Sequence, residues 1–353
     1  MQKESILSTL SGGAIMFRVA LVGAGGMGSL HANCYSNIQL STLVGVMDIR
    51  EDAAKILANK HGSEAFTDFD AMLTALKPDV VDVCCPTPSH VDYVCRSAER
   101  AKELGIVGIS TEKPMARSLQ DCQRMIEACE NANIPLFVGH VVRFFPEFAL
   151  AKKEVDAGSV GIPAAVQIRR GGAMPKAWND WYENFEMSGG LALDLIIHDF
   201  DWLRWTFGEV ERVFAKGTGK TQLPNLEYAL VTLRFKSGVI AHVEGTWADS
   251  SGFKVSIEIA GDQGLLESNF NMPATPPFTQ ALRGEGEARK GVVVPESPTG
   301  INPYEAELCH FLECLKLGST PFVTPKDGLE AVRISLAAIE SIQTGKPVTL
   351  NHC

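Results

Sequence analysis

Three glycines, Gly23, Gly25 and Gly28, stand between an apolar run, Phe17–Val22, and a segment with helical spacing, Met27–Ser36. A strand that ends on Gly-x-Gly-x-x-Gly and turns into a helix has one prevalent use, the binding of a dinucleotide. The first glycine permits a tight turn, the second lets a pyrophosphate approach the main chain, and the third lets helix and strand pack closely. Gly26 and Met27 lie in the same turn, where backbone N–H groups and the helix dipole attract phosphate. Asp48 follows Gly28 by twenty residues, at the end of the run Thr42–Met47, with Ile49 and Arg50 after it. An acid there accepts hydrogen bonds from ribose hydroxyls and repels a 2′-phosphate, which favours NAD. Arg50 could pair with a 2′-phosphate, which keeps NADP open. A plainer role for Asp48 is the N-cap of a helix over Glu51–Lys60.

The same alternation continues. Phe17–Val22, Thr42–Met47, Val80–Cys84, Gly105–Ser110 and Leu136–Val138 read as strands. Met27–Ser36, Glu51–Lys60, Phe69–Ala75, His90–Leu104 and Leu119–Ala132 read as helices. Strand and helix in turn predict a parallel, doubly wound α/β domain over residues 17–139. Cys85, Pro86, Thr87 and His90 follow the run Val80–Cys84, at a strand's carboxyl end where a cofactor would lie; Ser89 can also simply cap the next helix. Past residue 140 the pattern changes. Glu147–Asp156 and Leu191–Phe207 have helical spacing. Ala164–Arg170, Val210–Gly217, Glu227–Phe235, Val239–Trp247, Lys254–Ala260 and Gly264–Phe270 read as strands joined by turn residues. Residues 140–353 are therefore predicted to be an α+β domain on a large open, mostly antiparallel sheet. Two late helices, Pro303–Leu317 and Pro325–Thr344, are free to pack back on the first domain. Residues 1–16 read as an N-terminal extension and Met272–Gly300 as a long loop. An open sheet must cover its second face, which predicts a homo-oligomer, a dimer or tetramer.

The net charge of −10 argues against nucleic acid or an anionic membrane as partner. Nine cysteines without a Cys-x-x-Cys pair, in a chain this long, read as reduced thiols and predict a cytoplasmic protein. His31, His61, His90 and His140 are scattered singly, so no metal site is expected. No apolar run approaches the roughly 18 residues that a membrane span needs.

Two further motifs suggest chemistry. Glu112-Lys113-Pro114 follows the fourth strand-like run, and Asp194 and His198 are four residues apart. On one helix that spacing puts carboxylate and imidazole on one face, where the acid would fix the tautomer and raise the basicity of the base. Asp201, three residues beyond His198, is a rival partner. Lys113, near the cofactor, would stabilise a developing alkoxide, and Glu112 would hold Lys113 or touch the cofactor. His198 could then accept a hydroxyl proton as a hydride leaves the same carbon.

With Gly23-Ala-Gly-Gly-Met-Gly28, Cys85-Pro-Thr-Pro-Ser-His90, Glu112-Lys113-Pro114 and Gly189-Gly-Leu-Ala-Leu-Asp194-Leu-Ile-Ile-His198-Asp-Phe-Asp201, the chain resembles the glucose–fructose oxidoreductase / inositol dehydrogenase family from about Phe17 to Leu350. The resemblance implies two domains, NAD(P), and oxidation of a ring hydroxyl on a sugar or cyclic polyol. His140, Arg143, Trp178, Trp181, Tyr182 and Tyr304 are the candidate substrate residues, the aromatic ones for the C–H face of a ring. Inositol dehydrogenase-like members often carry two basic residues near Arg143, whereas Val142 precedes it here, which leaves a pyranose as open as inositol. Two other readings fit the same residues: an NAD-dependent glycosidase that oxidises transiently, and a regulatory protein that binds NAD(P) without turnover.

Overall fold

The computed structural model describes residues 16–218, 227–249, 252–271 and 302–350. The loop expected at Met272–Gly300 and nearly all of the N-terminal extension lie outside them. The first apolar runs become parallel strands buried on both faces, because helices cover both. In chain order the elements are β1 (Phe17–Val22), α1 (Gly26–Asn37), β2 (Ser41–Met47), α2 (Glu51–His61), β3 (Glu64–Phe66), α3 (Phe69–Leu76), β4 (Val80–Val83), α4 (His90–Leu104), β5 (Gly108–Glu112), α5 (Leu119–Ala132) and β6 (Leu136–Gly139). The strand order is β3-β2-β1-β4-β5-β6, with every pair parallel. The order in which strands are added reverses between β1 and β4, and ligands of such sheets lie outside the strand ends at that point. Gly105, expected to open a strand, instead ends α4 in the left-handed conformation (φ 80°). β5 therefore starts later and carries Glu112 as its last residue.

The second region continues with α6 (Pro146–Asp156), β7 (Pro163–Gly171), α7 (Phe185–Ser188), α8 (Gly190–Asp194), α9 (Ile197–Phe207), β8 (Val210–Gly217), β9 (Tyr228–Phe235), β10 (Ile240–Thr246), β11 (Lys254–Gly261), β12 (Leu265–Asn271), α10 (Pro303–Leu317), α11 (Pro325–Thr344) and β13 (Val348–Thr349). Its sheet runs β12-β11-β7-β10-β9-β8-β13 and is antiparallel apart from the β7–β10 pair. Alternation does the sorting. Val166, Ile168, Val231, Leu233, Ala241, Val243, Ile257 and Ile259 form one core with Phe200, Trp202 and Leu203 of α9. The opposite face carries Arg169, Thr232, Arg234, His242 and Glu258, with exposed Phe214, Tyr228, Leu230 and Ile240.

The late helices join the two sheets. α10 packs on α1, and Phe311 stacks on Phe137 of β6 at 5.1 Å. α11 touches β8 and α9 of the second sheet as well as α5 and β6 of the first. It starts with Pro325 and a capping box in which Thr324 and Asp327 exchange hydrogen bonds. Asp327 also receives Arg143 and Arg204. Burial would raise its pKa, but Arg143 and the Thr324 bonds overcome this and draw it down to about 2. A carboxyl depressed in the folded state stabilises above its ordinary pKa of about 3.9, and that contribution is lost as the pH falls toward 2. Asp327→Asn is expected to cost about 2 kcal/mol at pH 7 and to flatten the acid side of the urea-denaturation profile.

The segment expected to be one helix, Leu191–Phe207, is two. Leu195 and Ile196 both donate to the Leu191 carbonyl, at 3.0 and 3.1 Å, and Ile196 sits at φ −83°, ψ 0°. Asp194 closes α8, while His198 lies in the first turn of α9.

Candidate active site

The glycine turn is shaped as its spacing requires. Gly23 has φ 102°, and a Cβ there would lie 2.8 Å from the Cys84 backbone. A Cβ on Gly28 would lie 1.8 Å from the Gly23 carbonyl oxygen. Gly25, the N-cap of α1, faces open space and provides no capping side chain, so the first N–H groups of α1 suit a diphosphate. Gly28→Ala is expected to destabilise the domain by about 1–3 kcal/mol and to weaken NAD binding, measurable by thermal melting and calorimetric titration.

Asp48 is not the α2 N-cap; Arg50 takes that position without a side-chain bond. The Asp48 carboxylate instead accepts the Ala24 N–H of the glycine turn at 2.8 Å. Arg50 gives it its own N–H and both Nε and Nη2. Ile49 is exposed beside it. In the loop after β4, Cys85 and Pro86 lead into a short turn, Thr87–Ser89; Ser89 makes no capping bond. The His90 ring is buried between the Pro114 carbonyl (3.0 Å) and the Cys85 carbonyl (2.9 Å), so it ties the loop after β4 to the loop after β5.

Across the cleft, Lys113 Nζ donates to the Asp194 carbonyl at 2.7 Å and approaches its carboxylate at 3.3 Å. This contact joins the first domain's strand end to the second domain's helix break. It also corrects the Asp194–His198 pairing drawn from the spacing. With α8 and α9 separate, the two residues share no helical face, and Asp194 is held by Lys113. His198 Nδ1 is buried without a partner, which leaves Nε2 as the nitrogen open to a ligand. Its pKa lies well below 6.5 rather than being raised: burial acts first, then the charges of Lys113 and Arg170, then His140. The imidazole is neutral at neutral pH. The aspartates flanking it are committed elsewhere. Asp199 takes Arg170 in bonds of 2.6–3.0 Å, and Asp201 takes Arg143 at 2.6 and 2.8 Å.

The other candidates divide. His140 is fully buried, with neither ring nitrogen bonded, 3.9 Å from Asp201. Tyr182 is buried near Asp194, and Trp181 stacks on it at 4.0 Å. Arg143 does not line the cleft; it is buried in the ion pairs to Asp201 and Asp327. Tyr304 packs inward between His31 and Phe145. Trp178 lies at the far end of the site, over Arg50.

Glu112 brings in residues that the sequence did not suggest. Its Oε2 accepts the Lys113 N–H, and its Oε1 lies 3.1 Å from His31 Nε2. His31 Nδ1 meets Asp82 at 2.8 Å and Cys84 at 3.2 Å; Tyr35 donates to Asp82. Burial opposes a charge on His31, but Cys84 and Asp82 outweigh it and raise the pKa well above 6.5. A buried imidazolium thus lies against Glu112, in charge contact without a hydrogen bond, while the other Glu112 oxygen holds the main chain of Lys113. The only hint in the sequence was a histidine three residues beyond Gly28, on the inner side of α1.

A six-stranded parallel sheet with this turn and this acid, facing a lysine and a neutral histidine, defines an NAD-binding oxidoreductase. Residues 17–140 match the model of the oxidoreductase family with NAD-binding Rossmann fold, and residues 148–267 match the GFO/IDH/MocA C-terminal domain. The chain belongs to the GFO/IDH/MocA family of oxidoreductases. It is 30% identical to the myo-inositol 2-dehydrogenase of Thermotoga maritima over 95% of this chain and 99% of that one. It is 29% identical to the scyllo-inositol 2-dehydrogenase (NAD(+)) of Bacillus subtilis, over 95% and 96%. A solved probable dehydrogenase from Thermotoga maritima superposes with a TM-score of 0.79 at 29% identity, covering 94% of this chain and 98% of that one. No helix among the described residues is long and apolar enough to cross a membrane.

Proposed function

We propose that the protein is an NAD-dependent dehydrogenase that converts a ring hydroxyl of a cyclic polyol or pyranose to the ketone. The observation that carries this reading is the Lys113–Asp194 contact, which brings a cation from the cofactor domain to the break in front of His198. The nicotinamide supplies the hydride acceptor. Lys113, anchored by Asp194, orients the substrate hydroxyl and stabilises negative charge on its oxygen. His198 accepts the hydroxyl proton at Nε2, and its depressed pKa keeps it unprotonated for the task. Asp194 is a positioning residue that acts through Lys113. Tyr182 and Trp181 supply apolar ring surface beside Asp194. The inositol dehydrogenases among the relatives support a polyol substrate. The deciding experiment is NAD+ reduction against inositols, aldoses, uronates and glycosides. Turnover of at least one cyclic polyol or pyranose is expected; no turnover across the panel would refute the proposal.

The reading includes a homo-oligomer formed through the outer face of the second sheet, where Phe214, Tyr228, Leu230 and Ile240 are exposed together on β8–β10. Leu230→Glu is expected to yield monomers in light scattering, and an unchanged mass would exclude this face.

A further inference from the structure

One carboxyl, Glu307 of α10, lies fully buried with neither oxygen hydrogen-bonded to the protein. A buried polar group in that condition costs free energy unless a neighbour answers it. The packing of α10 shows what it faces. A Cβ on Gly108, at the start of β5, would lie 2.8 Å from Leu315 and 3.1 Å from Phe311, so this face of the strand looks at α10. Glu112, four residues on, shares the face. Phe137 of β6 stacks on Phe311, and a Cβ on Gly139, two residues later, would lie 3.0 Å from Glu112 Oε1. The helix therefore runs back along β5, with Leu315 and Phe311 over the strand's start and Glu307, one turn earlier, toward its end. Tyr304, on the same side of α10, meets the His31 ring at 6.5 Å between centroids. Glu307 is thus enclosed between Glu112 and His31.

The two carboxyls are not equivalent. Glu112 Oε2 accepts the Lys113 N–H at 3.1 Å, and Oε1 lies 3.1 Å from the imidazolium of His31. Glu307 has no such donor. The other charges that reach it are those of Asp82 and Asp201, both negative. The cations beside those aspartates, His31 and Arg143, are bonded to them. Cys34, also near, is a neutral thiol, since burial pushes it up to about 11. Like charges enclosed in one dry site do not both ionise. Burial first, then the charge of Glu112, lifts the Glu307 pKa well above the usual carboxyl range, with His31 opposing. A protonated carboxyl is a hydrogen-bond donor, and Glu112 Oε1 is an acceptor without one.

We propose that Glu307 keeps its proton at neutral pH and donates it to Glu112, which makes it a positioning residue for Lys113. With Oε1 answered by Glu307 and Oε2 by the Lys113 N–H, the Glu112 carboxylate is fixed at both ends, and the main chain that carries the ammonium is fixed with it. The proton on Glu307 does not depend on any substrate. Its use in catalysis rests on the part given to Lys113 in the proposed reaction.

Two measurements on the full chain, without NAD or polyol, test this. In the unfolded chain Glu307 ionises above about pH 4.3, whereas in the fold it stays protonated, so folding takes up a proton. The stability contribution of the carboxyl is therefore complete below that pH and declines as the pH rises toward its folded pKa. Glu307→Gln is always neutral and escapes the decline. In urea unfolding the wild type is expected to lose about tenfold in folding constant per pH unit, relative to Glu307→Gln, between about pH 5 and 7. The second measurement is the rate of reductive methylation at Lys113, mapped by mass spectrometry. Glu307→Met keeps the volume but has no proton to give, and Lys113 is expected to react at least about fivefold faster in it, on the order of one lost buried hydrogen bond. In Glu307→Gln, whose amide N–H replaces the carboxyl proton, the rate is expected within about twofold of the wild type. A difference between wild type and Glu307→Gln that is constant with pH would mean that Glu307 is ionised in the fold. A Lys113 rate unchanged in Glu307→Met, or raised equally in Glu307→Gln, would mean that the shared proton does not position the lysine. Either result overturns the proposal, and the urea series needs only the glutamine variant should Glu307→Met fail to fold. Neither result touches the dehydrogenase reading, and a blank polyol panel leaves both measurements intact.

Discussion

His198→Ala is expected to lower kcat by about 10²- to 10⁴-fold while NAD still binds, and Lys113→Ala to do the same by about 10²- to 10³-fold. In the proposed reaction the two act on one oxygen, one removing its proton and the other balancing its charge, so the double variant should lose far less than the product of the single losses. The pH profile carries more information. Burial and the charges of Lys113 and Arg170 hold the His198 pKa well below 6.5, so the acid limb of kcat/KM is expected below pH 6.5. Below that pKa the imidazole is protonated and cannot serve as the base; above it activity is flat until another group titrates. Asp194→Asn separates the two geometries. Had Asp194 been the partner of His198, its neutralisation would disturb the tautomer and the limb together. In this structure it loosens Lys113, so kcat falls while the acid limb does not move up. A limb that rises in Asp194→Asn would revive the pairing read from the spacing.

The second large effect concerns stability. Arg170 and Asp199 are 3% and 0% exposed and joined by three hydrogen bonds beneath the site. Arg170→Leu leaves a buried carboxyl without its cation and is expected to cost about 3–5 kcal/mol in guanidinium unfolding. Burial already pushes the Asp199 pKa up, with Arg170 opposing it, so in the variant Asp199 should take up a proton on folding. Arg170→Met combined with Asp199→Leu removes both charges and is expected to recover most of the loss. A double variant as unstable as the single one would mean that the arginine contributes through packing.

The elements with strong local signals were legible from the sequence. The spacing drew β1, α4, α5, α10 and α11 at their observed limits, because caps, glycines and apolar periodicity coincide there. β3 and β13 were not legible, being three and two residues long and only partly buried. The break between α8 and α9 has a tertiary cause. Asp-Leu-Ile-Ile-His contains neither glycine nor proline, and a continuous helix would give the Asp194 carbonyl to the His198 N–H. Lys113 takes that carbonyl instead, as a cation at a helix C-terminus is favoured to do. A residue 81 positions away overrides the local pattern. The support for Glu112 was hidden for a similar reason: His31 comes from α1 and Asp82 and Cys84 from the end of β4, and they meet Glu112 of β5 only when the sheet is assembled.

The Lys113 bond to the Asp194 main chain has one more implication. The ammonium reaches its post only while the two halves of the molecule are shut against each other. Under the proposed reaction, any separation of the halves would break this bond and take the ammonium away from the substrate oxygen.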